Sequence, residues 1–177
     1  MKKVLTIIEI FIIFLILYFL QANFFSWYNI GGIKPNLFIV LALFIGLFMG
    51  KTYGLISGVI FGILLDFFIG KRVGITSIGL GLVGILGGIL DKNFSKESRI
   101  TLMTMVLTSS VIYEVIIYSL KILIMGTAIE VLPFIKILLI ETVFNLIITI
   151  VIYNKFQKFG KYIQGIYSDD NNFMKHF

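Results

Sequence analysis

The chain has no cysteine and little charge. Without cysteine, disulfides, thiolate chemistry and cysteine zinc sites are excluded. Charged residues make up 14% of the 177 residues and hydrophobic residues 59%, whereas about a quarter of an ordinary soluble domain is charged. A soluble fold of this length could not bury so much apolar surface, so the composition predicts an integral membrane protein.

The chain also lacks the sequence motifs of common enzymes. No GxxxxGK[ST], HExxH or GxSxG motif occurs, and the single histidine, His176, cannot form a triad or a zinc site alone. We therefore expect no catalytic, cofactor-binding or metal site and predict that the chain is not an enzyme. Acid chemistry inside the membrane by two carboxylates is the remaining enzymatic alternative.

The positive charge indicates a membrane rather than a nucleic-acid partner. The net charge is +6, but the lysines and arginines lie in short loops beside apolar runs, not along one helix face. We therefore expect the lipid bilayer to be a partner and nucleic acid not to be one.

Long apolar runs predict an all-α bundle of about six transmembrane helices. The predicted spans lie near residues 4–22, 34–50, 53–69, 74–90, 100–124 and 133–154, and together they form one domain over residues 1–154. The first run resembles a signal peptide, but it is about 17 residues long and no small-residue cleavage site follows it, so we expect it to be retained. Spans two to four reach only ~25 Å, just under a ~30 Å hydrocarbon core.

The distribution of lysine and arginine predicts the orientation, because cytoplasmic loops retain cations. With the N-terminus inside, most of the 15 cations fall on the inner side. The inner ones are Lys2, Lys3, Lys51, Lys92, Lys96, Arg99, Lys155, Lys158, Lys161 and Lys175, and the outer ones are Lys34, Lys71, Arg72, Lys121 and Lys136. Both termini are therefore expected in the cytoplasm of a multi-pass plasma-membrane protein.

Residues 155–177 are predicted to form a basic amphipathic and polar cytoplasmic tail. Three lysines alternate with apolar side chains at helical spacing: Lys155, Lys158 and Lys161 with Phe156, Phe159, Ile163 and Ile166. A helix with this pattern would lie on the anionic inner leaflet. The alternative is a frayed, lipid-wet end of the sixth span.

Glycines recur every four residues from the second span into the third: Gly46, Gly50, Gly54, Gly58 and Gly62, with Asp66 continuing the register. Within the third span, the glycines and Asp66 share one face. Small residues at this spacing let helix backbones approach closely. The pattern predicts a tightly packed bundle, and the alternative is that this face receives a helix of another protein.

Three carboxylates, Asp66, Glu114 and Glu141, fall inside span sequence. Counted from the inner cations Lys51, Arg99 and Lys155, they lie 15, 15 and 14 residues away, roughly 21–23 Å along a helix. We therefore predict a polar layer in the outer half of the bundle, with Asn145 one turn below Glu141. Such a layer either locks the packing through paired or protonated carboxyls or forms a small polar cavity or a partner's docking point.

The run from Lys34 to Asp91 has a specific order of features. Pro35-Asn36-Leu37 opens an apolar span, Gly50-Lys51-Thr52-Tyr53-Gly54 makes a tight hairpin, and Gly58, Phe61–Asp66 and a glycine-rich fourth span follow. This order resembles the MreD family of the bacterial rod-shape complex, the elongasome. The likeness in length and span layout extends over nearly the whole chain.

The resemblance implies a non-catalytic scaffold for cell-wall synthesis and cell shape. It implies binding to the bitopic protein MreC and an indirect link between MreB filaments, RodA and a class B penicillin-binding protein. It also implies an architecture similar to the S components of energy-coupling-factor transporters, so a vitamin-type binding subunit of such a transporter is the alternative function. The positions that match the family pattern are Pro35, Gly54, Gly58, Gly62 and Asp66, with the glycines expected at helix contacts and Asp66 in interior pairing.

Overall fold

The computed structural model describes residues 2–69, 74–93 and 98–173. Within these ranges the chain is all-helical, which confirms the all-α part of the predicted fold class, and Ile30 and Ile33 form one isolated bridge without a strand. The helices are α1 (Lys2–Trp27, with a π-helical turn at Leu20–Phe24), α2 (Leu37–Met49), α3 (Lys51–Ile69), α4 (Ile75–Asn93), α5 (Arg99–Met125) and α6 (Val131–Phe173). The expected cations Lys71, Arg72, Lys96 and Lys175, and the tail residue His176, lie outside the described residues.

Four helices of the described chain are long and apolar enough to cross a membrane. These segments are Lys2–Trp27, Lys51–Ile69, Arg99–Ile124 and Val131–Tyr167, while Leu37–Met49 and Ile75–Leu90 are shorter apolar helices. Large apolar side chains are exposed along α1 and α6, as at Phe19 (65% exposed) and Leu132 (82% exposed). Exposed apolar faces of this size are expected where a helix contacts lipid.

Helix α2 is the centre of the bundle. Every residue from Leu37 to Phe48 is buried, as expected for a helix that is apolar on all sides. All five other helices contact α2. Its 13 residues extend only ~20 Å, less than the ~30 Å hydrocarbon core, so both of its ends need polar partners supplied by the protein.

A glycine hairpin joins α2 to α3. Gly50 lies between the helices with φ of +96°, a backbone conformation that glycine adopts without a steric penalty. Its N–H donates to the carbonyl of Gly46 at 3.0 Å, and its own carbonyl accepts from the N–H of Gly54 at 3.0 Å. The two helices therefore meet with almost no intervening loop.

The glycine face of α3 packs directly on the backbone of α4. A Cβ added at Gly54 would collide with the carbonyl oxygen of Gly84, and one added at Gly58 would collide with the carbonyl oxygen of Leu80. A Cβ at Gly62 would meet the backbone of the first turn of α4. The close approach of these two helices therefore depends on glycine at all three positions of α3.

Helix α6 continues well past the end of the predicted sixth span. It has 43 residues, and a straight helix of that length would extend ~65 Å, about twice a ~30 Å hydrocarbon core. The ring of Phe156 packs edge-on to Phe44 of α2, with 4.4 Å between centroids, and Gly160 lies against Phe48. Tyr167 meets Tyr53 of α3 at 5.0 Å. The basic segment over residues 155–167 is therefore helical and packs on the bundle.

Candidate functional site

Asn145 of α6 belongs to a polar layer inside the bundle. Its amide Oδ1 accepts a hydrogen bond from the backbone N–H of Asn36 at 2.8 Å, and its Nδ2 donates to the hydroxyl of Ser110 in α5 at 3.0 Å. The Asn145 side chain is fully buried. One side chain therefore connects α5 and α6 with the residue that precedes α2.

The start of α2 is completed by a second side chain. The N–H of Leu37 donates to Oε1 of Gln21, in the π-helical turn of α1, at 3.2 Å. The first N–H groups of a helix have no partner within the helix, and inside a membrane they must be satisfied by the protein. Gln21 and Asn145 meet this requirement, so α2 can begin inside the bundle.

Two carboxyl groups meet beside this start of α2. The side chains of Glu114 and Glu141 are within hydrogen-bonding reach of each other, and the Asn36 side chain is within reach of both Glu141 and the Tyr113 hydroxyl. Both carboxyls are buried, with 8% and 9% exposure. A hydrogen bond between two carboxyl groups requires a proton on one of them, because an ionised carboxylate only accepts.

One oxygen of this carboxyl pair is not hydrogen-bonded within the described part of the chain. Oε1 of Glu141 and the neighbouring hydroxyl of Thr142 are both buried without such a partner there. Lys121 of α5 lies close enough to Glu141 to interact with it electrostatically. The layer therefore combines hydrogen-bonded groups with acceptor capacity that a proton, a cation or a polar ligand group could use.

Asp66 has a different role at the edge of the layer. Its Oδ2 accepts from the backbone N–H of Gly74 at 2.8 Å, and the Gly74 carbonyl accepts the first hydrogen bond of α4, from Ile78 at 3.0 Å. Asp66 is only 1% exposed. A carboxylate at a helix N-terminus is favoured by the helix dipole. Asp66 therefore holds the start of α4 against the end of α3.

The structure brings together only part of the set predicted from the sequence. Glu114, Glu141 and Asn145 share the polar layer, and Asp66 is near enough to interact electrostatically with Tyr113. Pro35 is buried directly before Asn36. Gly54, Gly58 and Gly62 pack on α4 instead. Within the described residues no group of three or more histidine, aspartate or glutamate side chains is placed to hold a metal ion.

Sequence reasoning did not find four members or neighbours of this layer: Gln21, Asn36, Ser110 and Tyr113. Asn36 carried a usable signal, because a polar residue just before an apolar helix marks a helix start. Gln21 closes an apolar run of 17 or so residues, a position where polar residues commonly reach the membrane interface. Ser110 and Tyr113 show no such pattern, because their roles depend on which helix faces α5.

Comparison with known families gives one match. The family model described as rod shape-determining protein MreD matches residues 1–163 of the chain. No curated protein and no solved structure matches it. The matched region therefore includes α1 to α5 and α6 as far as residue 163.

Proposed function

The chain belongs to the MreD family of rod shape-determining proteins, and from this premise we propose that it is a non-catalytic membrane scaffold of the bacterial elongasome. In this role it binds an MreC-like protein and helps link MreB filaments to RodA and a class B penicillin-binding protein. The observation that carries the proposal is the family match over residues 1–163.

The packing of α3 restricts where a partner's helix can bind. The glycine face of α3 is occupied by α4 of the same chain, whose backbone leaves no room even for a methyl group. An MreC-like partner would therefore contact the outer surface of the bundle. The glycines support this role indirectly, by keeping α2, α3 and α4 in one close-packed unit.

We also propose that the chain crosses the plasma membrane six times with both termini in the cytoplasm, in an architecture similar to transporter S components. Cations from the first turns of α1 and α5 lie against rings of the C-terminal half of α6. There the guanidinium of Arg99 lies over the Tyr153 ring at 4.8 Å, and the ammonium of Lys3 lies over the Tyr167 ring at 5.7 Å. We call this part of the bundle the basic end. Because cations collect on the cytoplasmic side of membrane proteins, we expect the basic end to face the cytoplasm. Reporter fusions at Glu97 and Lys71 test the topology, and a cytoplasmic Lys71 loop would contradict it.

Depletion of the chain in its bacterial host tests the scaffold function. We expect depleted cells to become round, and expression of the intact chain to restore rods. Glu114→Gln and Glu141→Gln then show what the polar layer does. Normal expression with round cells would mean that the carboxyls act in the scaffold function, whereas loss of the folded protein would mean that they act in packing.

A binding subunit of an energy-coupling-factor transporter is the second candidate function. The observation that favours it is the buried Glu141 oxygen that lacks a hydrogen-bond partner among the described residues, because a polar ligand could use it. This candidate predicts a co-purifying small molecule and ATPase subunits. Neighbouring genes distinguish the two candidates: genes for MreB and MreC favour the scaffold, and vitamin-transport genes favour the transporter.

A further inference from the structure

An apolar groove separates α1 from α6, with α2 as its floor. It has a volume of about 590 Å³ and is lined by residues from Ile13 to Phe25 of α1, from Leu37 to Phe44 of α2 and from Ile147 to Phe159 of α6. Lys155 is the only charged side chain among the described residues that line it. The groove is open to the surface that carries the exposed apolar side chains, so its opening faces lipid.

The dimensions of the groove indicate what it holds. Its walls on α1 and α6 each extend over thirteen residues, and the twelve rises between the first and the last residue give a length of ~18 Å. Dividing the volume by this length gives a mean cross-sectional area of roughly 33 Å². A helix with side chains is 10–12 Å in diameter and is therefore too wide for a groove of that cross-sectional area. A length of ~18 Å matches one leaflet, about half of a ~30 Å core. The groove therefore fits an extended hydrocarbon chain and not a partner's helix.

The charge at one end of the groove indicates the headgroup. Lys155 is exposed and lies one turn before Phe159, which also lines the groove, and one residue after Asn154, which the guanidinium of Arg99 approaches. The lysine is therefore at the basic end, where the groove reaches the membrane interface. A lysine at this depth attracts anionic lipid headgroups.

From this geometry we propose that the groove binds one acyl chain of an anionic phospholipid from the leaflet at the basic end, with its phosphate on Lys155. The acyl chain gains little binding free energy from the apolar walls, because lipid tails are as apolar as the side chains they contact. The preference for an anionic lipid therefore comes from Lys155. This inference needs only that the protein lies in a bilayer, so it can fail without affecting the scaffold proposal.

Native mass spectrometry of the delipidated full chain tests the site, with equal amounts of phosphatidylglycerol and phosphatidylcholine that carry the same acyl chains. We expect phosphatidylglycerol to be retained about fivefold more, the effect of one lysine near an anionic headgroup. Lys155→Gln should abolish the preference. Val151→Trp should remove the bound lipid, because Val151 lines the groove and the indole ring of tryptophan would fill the groove.

Two matched variants control for nonspecific effects. Lys158→Gln changes an exposed lysine of the same helix, and Val143→Trp adds a ring at an exposed valine of α6; neither residue lines the groove. Both should keep the fivefold preference. Free glycerol phosphate, which has the charge without the chain, should not displace the lipid.

Four results would overturn the proposal. The first is equal retention of the two lipids by the intact chain, and the second is the same loss in Lys158→Gln as in Lys155→Gln, which would indicate diffuse attraction to a basic surface. The third is retention of lipid by Val151→Trp at the level of the intact chain. A photoreactive group at Val151 that links to a co-purified protein instead of lipid would replace the lipid with a partner's helix.

Discussion

Replacing Asn145 with alanine should lower the free energy of unfolding by about 2–4 kcal/mol. The substitution leaves the Asn36 N–H at the buried start of α2 without its acceptor at 2.8 Å, and an unsatisfied buried donor costs about 1–3 kcal/mol. It also removes the bond to Ser110 at 3.0 Å, and a side-chain hydrogen bond between membrane helices contributes about 0.6 kcal/mol on average.

Unfolding by titration with a denaturing detergent in mixed micelles measures this change. Asn154→Ala is the matched control, because Asn154 is an exposed asparagine of the same helix that accepts only a long hydrogen bond, from Arg99 Nη2 at 3.5 Å. We expect a change within about 0.5 kcal/mol. Ser110→Ala should be much milder than Asn145→Ala, because it leaves the Asn36 bond intact. A loss of less than about 0.5 kcal/mol in Asn145→Ala would refute the account of how α2 begins.

Three further substitutions test the packing. Gly58→Val should prevent the close contact of α3 with α4 and lower the free energy of unfolding by about 1–3 kcal/mol. This change should be seen as loss of folded protein in size-exclusion chromatography. Asp66→Ala should cost about 0.5–2 kcal/mol by removing the acceptor for the Gly74 N–H, measured by detergent unfolding, and Asp66→Asn should cost less because it keeps an oxygen there. Gly160→Leu should push the basic segment away from Phe48 and increase its cleavage by protease, with the transmembrane part still folded.

The control for both glycine substitutions is Gly165, where an added Cβ would meet nothing within 4 Å. Gly165→Val and Gly165→Leu should leave folding and protease resistance unchanged. A folded Gly58→Val protein of normal stability would contradict the contact with α4. Equal stability of Asp66→Ala and the intact chain would contradict the capping role of Asp66.

The sequence predicted the helical class of the fold because apolar runs and charge clusters follow directly from insertion in a membrane. The family resemblance from Lys34 to Asp91 is confirmed by the family match. The order of glycines in that run was informative because a close helix contact requires a small residue at each crossing point, as Gly54 and Gly58 show.

The details that sequence reasoning could not supply depend on which helices are neighbours. Counting residues places Glu114 and Glu141 at similar depths, but it gives no reason for Asn36 to lie beside them or for Gln21 to reach Leu37. The end of α6 is a similar case. Lysine spacing predicts a basic helix over residues 155–177, but the contact of Gly160 with Phe48 arises only because α2 ends directly above it.

The most direct test of the scaffold proposal is gentle detergent purification of the tagged full chain from its host, with mass spectrometry of every retained protein and small molecule. We expect an MreC-like protein to be retained and to be lost when that partner's transmembrane segment is replaced. Retention of an ATPase subunit or a vitamin-type ligand, with no MreC-like protein, would contradict this expectation and favour a transporter.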